Sequence, residues 1–343
     1  MLTSDFDYSL PQELIAQKPL PQRHQSKMMV LNRRNEEIIH SKFKALPRFL
    51  KKGDVLVLNN TRVIPAKAWG KTGRKEMEFL FLKESQEGLW EVLCRPAKRA
   101  KLGDIISFSA GFEGKIIEFG REGKRVIRFS SADVLKKLKK AGFAPLPPYI
   151  KRKGKNEKLR ALDLERYQTV FSKKEGAIAA PTAGLHFTTK ILEEIQSKGV
   201  EIVQITLDVG LATFQPVRIK RIENHRMLEE NYFISRKAAQ IINNAKKEDR
   251  SVVAVGTTSV RALESAYRDR KVRSGQASTE LFIYPGYAFK VVDTLLTNFH
   301  LPKSTLLMLV AAFSGRDFIK KAYRKAISEK YRFYSYGDCM LVL

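Results

Sequence analysis

Two of the five histidines in this sequence stand where side chains could do acid–base chemistry. His186 and His300 each lie among small and polar residues at the end of a predicted strand, where loops commonly build ligand sites. An imidazole there can exchange a proton near neutral pH. A lone histidine is more often structural than catalytic, so both interpretations stay open. The other three, His24, His40 and His225, form no metal-binding spacing.

One turn in the last third of the chain indicates a site for an anion. Residues 252–255 are predicted to form a buried strand, Gly256 allows a tight turn, and Thr257 and Thr258 are residue types that begin helices. We predict that a helix follows over residues 260–270. A strand that turns into a helix directs free backbone N–H groups at a ligand, which favours phosphate or carboxylate.

Arg261 falls in the predicted first turn of that helix, where the helix dipole disfavours a cation. A bound anion near the guanidinium would explain its presence. Alternatively, Arg261 pairs with Glu264 or Glu280, and the turn is an ordinary one between a strand and a helix. The sequence leaves both interpretations open.

Two further polar segments follow predicted strands. The sequence Asn-Asn-Thr-Arg over residues 59–62 comes after a strand predicted over residues 53–58. It is either a turn or the mouth of a site. A polar loop over residues 210–218 follows a strand predicted over residues 200–207. If these strands share a sheet, their ends favour a binding site.

The charge of the chain indicates a polyanionic partner. Its 343 residues include 63 Lys and Arg against 36 Asp and Glu, a net charge of +27. A field of that sign favours nucleic acid, although it can also serve solubility. Residues 95–101 and 151–155 concentrate the charge and either contact phosphates or form solvated loops.

Two patterns of predicted secondary structure divide the chain. Residues 1–65 and 150–343 alternate predicted strands and helices, whereas residues 66–149 contain short, closely spaced strands. We predict an α/β fold: an outer, barrel-like α/β domain with a mixed sheet, split in sequence around a small antiparallel β-barrel or sandwich. Prolines and Gly154 at the second junction predict a hinge. The apolar run over residues 306–313 is too short to span a membrane, and no signal-peptide core is present, so we expect a cytoplasmic protein.

Several kinds of chemistry lack support in the sequence. There is no GxSxG, P-loop or GxGxxG pattern. Cys94 and Cys339 are the only cysteines, which argues against a disulfide framework, and neither has an obvious activating partner. We expect no bound metal, because no ligand spacing is present.

Long strings in order along the chain resemble the S-adenosylmethionine:tRNA ribosyltransferase-isomerase family of the queuosine pathway. The strings that carry the resemblance cover residues 5–8, 14–17, 59–66, 95–99, 180–188, 256–264, 282–287, 297–308 and 333–338. Two positions depart from the family pattern: Asp208 and Leu228 each stand where the family usually has histidine. These departures argue against an essential acid–base group at either position.

The resemblance implies a reaction with two substrates. The ribosyl part of S-adenosylmethionine is transferred to the aminomethyl group of a 7-deazaguanine (preQ1) at the wobble position of tRNA, and isomerised. The product is epoxyqueuosine, and adenine and methionine are released. S-adenosylmethionine is thus a consumed substrate, and tRNA must be held. We expect a monomer without a membrane partner.

The resemblance also implies three groups of site residues. Candidates for the base that removes an acidified C5′ proton are His186, His300 and Asp338. Candidates for binding S-adenosylmethionine are Asn59, Asn60, Arg62, Thr182, Thr257, Thr258, Arg261 and Asn298. Candidates for the tRNA backbone are Lys98, Arg99, Lys101, Lys151 and Arg152.

Two other classes of protein remain as alternatives. A non-catalytic RNA-binding protein needs only a basic face, whereas this sequence repeats polar clusters at strand ends. A methyltransferase that uses S-adenosylmethionine is expected to have a Gly-rich loop after an early strand, which is not found. The products separate the three: adenine indicates ribosyl transfer, S-adenosylhomocysteine indicates methylation, and neither indicates binding alone.

Overall fold

The structure is a computed structural model that describes residues 1–109, 111–120, 123–152, 157–210 and 217–343. The predicted hinge residue Gly154 and most of the polar loop predicted over residues 210–218 lie outside these residues. No helix in the described ranges combines the length and apolar character that crossing a membrane requires.

A mixed sheet of nine strands organises most of the chain, as the sequence predicts. From edge to edge its strands are β17 (Gly275–Thr279), β13 (Glu230–Ile234), β12 (Glu201–Leu207), β3 (Val55–Asn59), β14 (Val252–Val255), β18 (Thr294–Asn298), β19 (Cys339–Val342), β1 (Lys27–Asn32) and β2 (Glu37–Lys42). The four strands β12, β3, β14 and β18 are parallel to one another. Their carboxyl ends therefore meet at one edge of the sheet.

Helices cover both faces of this sheet, which explains the uninterrupted apolar runs of β3 and β14. Along β3, Val55 and Val57 face one layer of the core, and Leu56 and Leu58 face the other. On the first side pack α4 (Arg236–Lys247), α5 (Thr257–Ala266), α6 (Thr305–Ser314) and α7 (Arg316–Ser328). On the second side packs α3 (Thr189–Ser197).

The inserted segment closes into a six-stranded antiparallel barrel, so the choice between barrel and sandwich is resolved. Its strands are β5 (Lys67–Thr72), β6 (Lys75–Gln86), β7 (Leu89–Arg95), β8 (Ile105–Phe108), β9 (Phe112–Phe119) and β10 (Lys124–Phe129). Aromatic side chains fill the interior, with Phe108 and Phe112 stacked at 4.8 Å. The helix α1 (Val134–Ala141) packs Val134 and Leu138 against this core.

The sequence predicts no separate strand at β5, because its inward positions are small. A side chain at Gly70 would approach Ile106 Cγ2 to 2.4 Å, so the large residues of the neighbouring strand occupy that space. The remaining elements are α2 (Glu157–Arg166) and the short pairs β4 (Thr61–Val63) with β11 (Lys174–Ala177) and β15 (Tyr267–Arg268) with β16 (Lys271–Val272).

The helix predicted over residues 260–270 is displaced toward the amino terminus. It begins at Thr257 and ends at Ala266, because Gly256 takes the capping position with φ at +85°. Beyond its end, Asp269 and Arg270 adopt positive φ and close the turn between β15 and β16. Arg261 therefore lies in the second turn of α5, where the helix dipole acts on it less strongly.

Candidate functional site

The carboxyl ends of the four parallel strands bring the predicted site residues together. Asn59 ends β3, Asp208 follows β12, Gly256 follows β14, and Asn298 ends β18. Ligands in open α/β sheets bind at such strand ends. A cavity of about 40 Å³ lies here and is lined by Thr182, Thr257, Thr258, Asn298 and His300, among others.

The first turn of α5 forms one wall of the cavity. Gly256 donates its amide to Leu296, which fixes the turn between β14 and the helix. The hydroxyl of Ser259 donates backward to the carbonyl of Val255 at 2.7 Å. The first amides of α5 have no carbonyl one turn earlier in the helix, and they lie where an anion would enter.

The side chain of Asn59 connects the ends of neighbouring strands through hydrogen bonds. Its Oδ1 accepts the amides of Thr61 and Leu207, and its Nδ2 donates to the carbonyl of Leu207 and to Thr258 Oγ1 at 3.3 Å. The segment 59–62 is therefore not a turn: Asn60 joins β3 directly to the short strand β4, and Asn59 supports the cavity wall through Thr258. Asn60 turns away toward Gln204 and Thr206.

Arg62 lies outside the cavity, exposed on β4. Asn60 and Arg62 are therefore predicted S-adenosylmethionine residues that the fold directs away from the cavity lined by Thr257.

His300 is the histidine that lines the cavity. Its Nε2 lies 2.8 Å from Thr297 Oγ1, and its amide donates to the hydroxyl of Tyr323. No described residue forms a hydrogen bond with Nδ1. With the proton on Nε2 and Thr297 as its acceptor, the lone pair of Nδ1 stays free. Burial lowers the pKa of His300 to about 3, so the imidazole is neutral at physiological pH.

His186 contacts the cavity only through Asn298. Asn298 donates from Nδ2 to the carbonyl of Tyr334 at 2.9 Å, so its Oδ1 faces His186 Nε2 at 3.2 Å. This arrangement assigns the proton of His186 to Nε2, and Nδ1 accepts from the hydroxyl of Ser26 at 2.8 Å. Burial lowers the pKa of His186 to about 4, although Asn298 favours the charged form. Both ring nitrogens are engaged, so His186 positions Asn298.

Asp338 joins three segments from a buried position. Its carboxylate accepts the amides of Lys27 at 2.9 Å and Arg332 at 2.7 Å. Burial raises the pKa of Asp338, against the effect of these two amides. Asp338 does not line the cavity, and its oxygens are occupied by the chain itself.

Arg261 is buried in an ion pair with Glu230, so the predicted partners Glu264 and Glu280 are wrong. Its Nε also donates to the carbonyl of Leu281 at 3.0 Å. Glu264 instead accepts the amides of residues 290–292. Glu230 lies far from Arg261 in sequence, on β13, and neither helical spacing nor local charge could have identified it.

The predicted tRNA residues divide into two groups. Lys98, Arg99 and Lys101 are exposed on the barrel loop between β7 and β8, and Lys151 is exposed at the junction. Arg152 is different, because its guanidinium forms a two-point ion pair with the buried Asp163 at 2.7 and 2.9 Å. Arg152 is therefore engaged in holding α2.

A model of one protein family, described as queuosine biosynthesis protein, matches residues 3–342. The chain belongs to this family. Three relatives named S-adenosylmethionine:tRNA ribosyltransferase-isomerase are each 49% identical to it: those of Desulforamulus reducens, Halothermothrix orenii and Clostridioides difficile. Each alignment covers 100% of this chain and 100% of the relative.

A solved structure is similar over the same length. It is the crystal structure of S-adenosylmethionine tRNA ribosyltransferase from Thermotoga maritima at 2.00 Å resolution, 35% identical, with a TM-score of 0.56. The match covers 99% of this chain and 100% of that chain. The α/β fold predicted from the sequence, with its large mixed sheet and inserted β module, is confirmed.

The two departures from the family pattern have different surroundings. Asp208 accepts a hydrogen bond from Thr61 Oγ1 at 3.1 Å, and burial raises the pKa of this carboxyl. Leu228 is 45% exposed and lies away from the cavity lining. Among the described residues, no group of three or more His, Cys, Asp or Glu side chains is arranged to hold a metal ion.

Sequence reasoning missed several residues of the cavity, among them two tyrosines and a serine. Tyr149, Tyr334 and Ser335 line it, and Tyr149 Oη lies 2.7 Å from Ser335 Oγ. Tyr334 adopts φ of +71°, a strained conformation that such a side chain rarely takes and that often marks functional sites. The string over residues 333–338 contributes to the family resemblance and could have indicated two of them.

The crowding of small residues around Gly184 serves the fold. A side chain at Gly184 would approach Phe171 and Thr169 to 2.8 Å. The group that comes close to this backbone is therefore the chain itself.

We expect acid to destabilise the fold through two buried histidines, His186 and His300. The ordinary pKa of 6.5 falls to about 4 for His186 and about 3 for His300, so the unfolded chain binds more protons than the folded chain below pH 6.5. Their contribution is complete above pH 6.5 and is lost as the pH falls toward 4. Each histidine adds a slope approaching about 1.4 kcal/mol per pH unit.

Urea unfolding at several pH values between 7 and 4.5 measures this slope for the wild type and for His186→Gln. Other titrating groups are common to both proteins and cancel. An unchanged slope in the variant would contradict the buried, neutral state of His186.

Proposed function

We propose that this chain is an S-adenosylmethionine:tRNA ribosyltransferase-isomerase of queuosine biosynthesis. The observation that carries the proposal is the 49% identity, over the whole of both chains, to relatives that have this name. The acceptor in the proposal is preQ1 at the wobble position of tRNA, and the product is epoxyqueuosine. Adenine and methionine leave, and S-adenosylmethionine is consumed.

His300 is the base in this proposal. The positive sulfur of S-adenosylmethionine acidifies its neighbouring C5′ proton, and a neutral imidazole facing the cavity can remove it. The free Nδ1 of His300 and the low pKa that burial gives the ring support this role. A base of low pKa is weak, but it is never blocked by protonation at physiological pH.

The first turn of α5 holds the methionine carboxylate in this proposal. The free amides of this turn and the hydroxyls of Thr257 and Thr258 are the donors that a carboxylate needs. Arg261 lies one turn further on and is held by Glu230. We therefore assign Arg261 to positioning α5, in place of the direct carboxylate contact that the family resemblance implies.

Asn298 and Thr182 line the same cavity and are proposed contacts for the nucleoside. His186 keeps the Asn298 amide oriented, and Asp338 ties the turn over residues 334–337 to β1. Neither is assigned to proton transfer.

The organisation of the protein is part of the proposal. Residues 1–65 and 150–343 form one domain, and residues 66–149 form the inserted domain, which contributes basic side chains to tRNA binding. The protein acts as a monomer in the cytoplasm and needs no metal.

Release of adenine from S-adenosylmethionine tests the proposed reaction. The purified protein is incubated with S-adenosylmethionine and a tRNA that carries preQ1, and the products are separated chromatographically. We expect adenine and methionine in equal amounts, and none when preQ1 is absent. Formation of S-adenosylhomocysteine would replace the proposal with a methyltransferase, and binding without turnover would replace it with an RNA-binding protein.

The barrel loop should contribute to tRNA affinity but not to S-adenosylmethionine binding. We expect replacement of Lys98, Arg99 and Lys101 by Ala to weaken tRNA binding and to flatten its salt dependence, since fewer counterions are released. The KM for S-adenosylmethionine should stay near the wild-type value. Affinity is measured by fluorescence anisotropy over a range of salt concentrations.

A matched control removes the same charge elsewhere on the barrel. Lys71, Arg74 and Lys75 are also exposed, at the turn between β5 and β6. If both triple variants lose affinity equally, the effect comes from total charge, and the loop between β7 and β8 is not a specific surface.

A further inference from the structure

Three guanidinium groups converge beside His186, outside the cavity lined by His300. Arg23 and Arg166 line a shallow cleft of about 20 Å³, together with Ser26, His186 and Ser335. Arg332 is close enough, like Arg23, for its charge to act on His186. None of the three arginines forms an ion pair with a described residue.

Part of this arrangement supports the chain. Arg332 donates to the carbonyl of Lys18, and Arg166 donates to the carbonyls of Leu20 at 2.6 Å and Pro21 at 3.3 Å. Arg23 donates to the carbonyls of residues 165, 168 and 185. These bonds hold the proline-rich segment around residue 20 against α2.

Some N–H groups of these arginines have no carbonyl acceptor. Arg166 Nε and Arg332 Nη1 are buried and have no acceptor in the described chain. A buried donor without an acceptor is unfavourable, and an outside acceptor would remove that cost.

The electrostatics of the cleft also favour an anion. Burial lowers the pKa of Arg23, and the neighbouring charge of Arg166 lowers it further. Two carboxylates interact favourably with these guanidinium groups: Glu165 acts on Arg23, and Asp338 acts on Arg332. Glu165 is exposed, and the oxygens of Asp338 are occupied by amides, so the positive charge is only partly balanced.

We propose that Arg23, Arg166 and Arg332 bind one backbone phosphate of the tRNA, next to the nucleotide that reacts. The inference rests on the proposed function. Guanidinium groups match the oxygens of a phosphate in geometry and charge. The cleft is small and opens to the surface, which favours a phosphate on a strand lying across it.

The position of the cleft agrees with this occupant. His186 lines it, and His186 also contacts Asn298, which lines the cavity. A phosphate in the cleft would therefore lie one side chain behind the cavity wall. Holding that phosphate would position the attached nucleotide at the cavity mouth.

The test measures binding of an anticodon stem-loop RNA as a function of salt for Arg166→Met and Arg166→Lys. We expect Arg166→Met to weaken RNA binding about 10- to 100-fold, the effect of a lost charge-assisted contact. The slope of log Kd against log salt should fall by about 0.7–1, the loss of one phosphate contact. Arg166→Lys keeps the charge and should keep most of the slope. If Arg166 had only a structural role, Arg166→Met and Arg166→Lys should have the same salt slope.

Arg33→Met is the matched control, because Arg33 is also a partly buried arginine bonded to three carbonyls, those of Leu343, Phe313 and Asp293. It should leave the salt slope unchanged. If Arg166→Met unfolds, Arg332→Met is measured in the same way, and both proteins are checked by circular dichroism.

Two outcomes would overturn the proposal. An unchanged salt slope in folded Arg166→Met and Arg332→Met would show that these arginines do not bind a phosphate of the RNA. A raised KM for S-adenosylmethionine with unchanged RNA affinity would identify the anion as the methionine carboxylate. Because the readout is RNA binding, it remains informative even if the wild type releases no adenine, which would contradict only the proposed reaction.

Discussion

His300→Gln is expected to lower kcat for adenine release by about 10²- to 10⁴-fold, the usual contribution of a general base. The variant removes the imidazole that lines the cavity, while an amide can still reach Thr297. Because His300 contributes to proton removal, kcat should fall more than the KM for S-adenosylmethionine rises. Steady-state kinetics on the purified variant separate the two parameters.

The pH profile gives a second measure of the same assignment. Because burial lowers the pKa of His300 to about 3, protonation of this group should not reduce the rate between pH 5 and 8. If the rate instead decreases as the pH falls through about 6.5, the base is more exposed to solvent than His300.

His186→Gln and His40→Gln are the comparisons for this experiment. His186 has both ring nitrogens engaged, so its variant should reduce activity less, through a misplaced Asn298. His40 lies on β2, where its ring contacts Tyr331, and its variant should keep wild-type kinetics. A larger kcat loss in His186→Gln than in His300→Gln would reverse the two roles.

Arg261→Ala is expected to destabilise the protein by about 3–5 kcal/mol, because it leaves Glu230 charged and buried without a partner. The two side chains are only 5% and 3% exposed, so solvent does not compensate for the lost cation. Glu230 Oε1 also accepts the amide of Gly210 at 3.0 Å, which couples the pair to the end of β12. Urea denaturation measures the free energy of unfolding.

A double variant distinguishes the pair from the individual residues. Arg261→Met with Glu230→Gln removes both charges and retains most of the volume, so it should be more stable than Arg261→Ala. If Arg261→Ala keeps wild-type stability and instead raises the KM for S-adenosylmethionine about 10- to 100-fold, Arg261 contacts the carboxylate directly. The sequence alone left that second result open.

Local sequence determines where the strands form and whether they are buried on both faces or belong to an antiparallel module. The apolar runs over residues 55–58 and 252–255 are long enough to identify strands buried on both faces, and both form as predicted. The short alternating strands of the inserted module also identify its antiparallel character. Where the pattern is weak, as at β5, the sequence gives no signal, because glycine and alanine fill positions that a neighbouring strand occupies.

Residue type at strand ends likewise predicted Thr257, Thr258 and His300 as site residues, and the family resemblance added Asn298. All four line one cavity, because parallel strands end at a common edge. The tertiary structure alone decided which side chains remain available. Arg261 and Arg152 were candidate ligand contacts in the sequence, yet each is neutralised by a carboxylate of another element, Glu230 of β13 and Asp163 of α2. The roles of His186 and His300 likewise diverge through Ser26 and Thr297. Ion pairs and hydrogen bonds act over a few ångströms in space regardless of separation along the chain, so local pattern determines the elements, while the fold determines their partners.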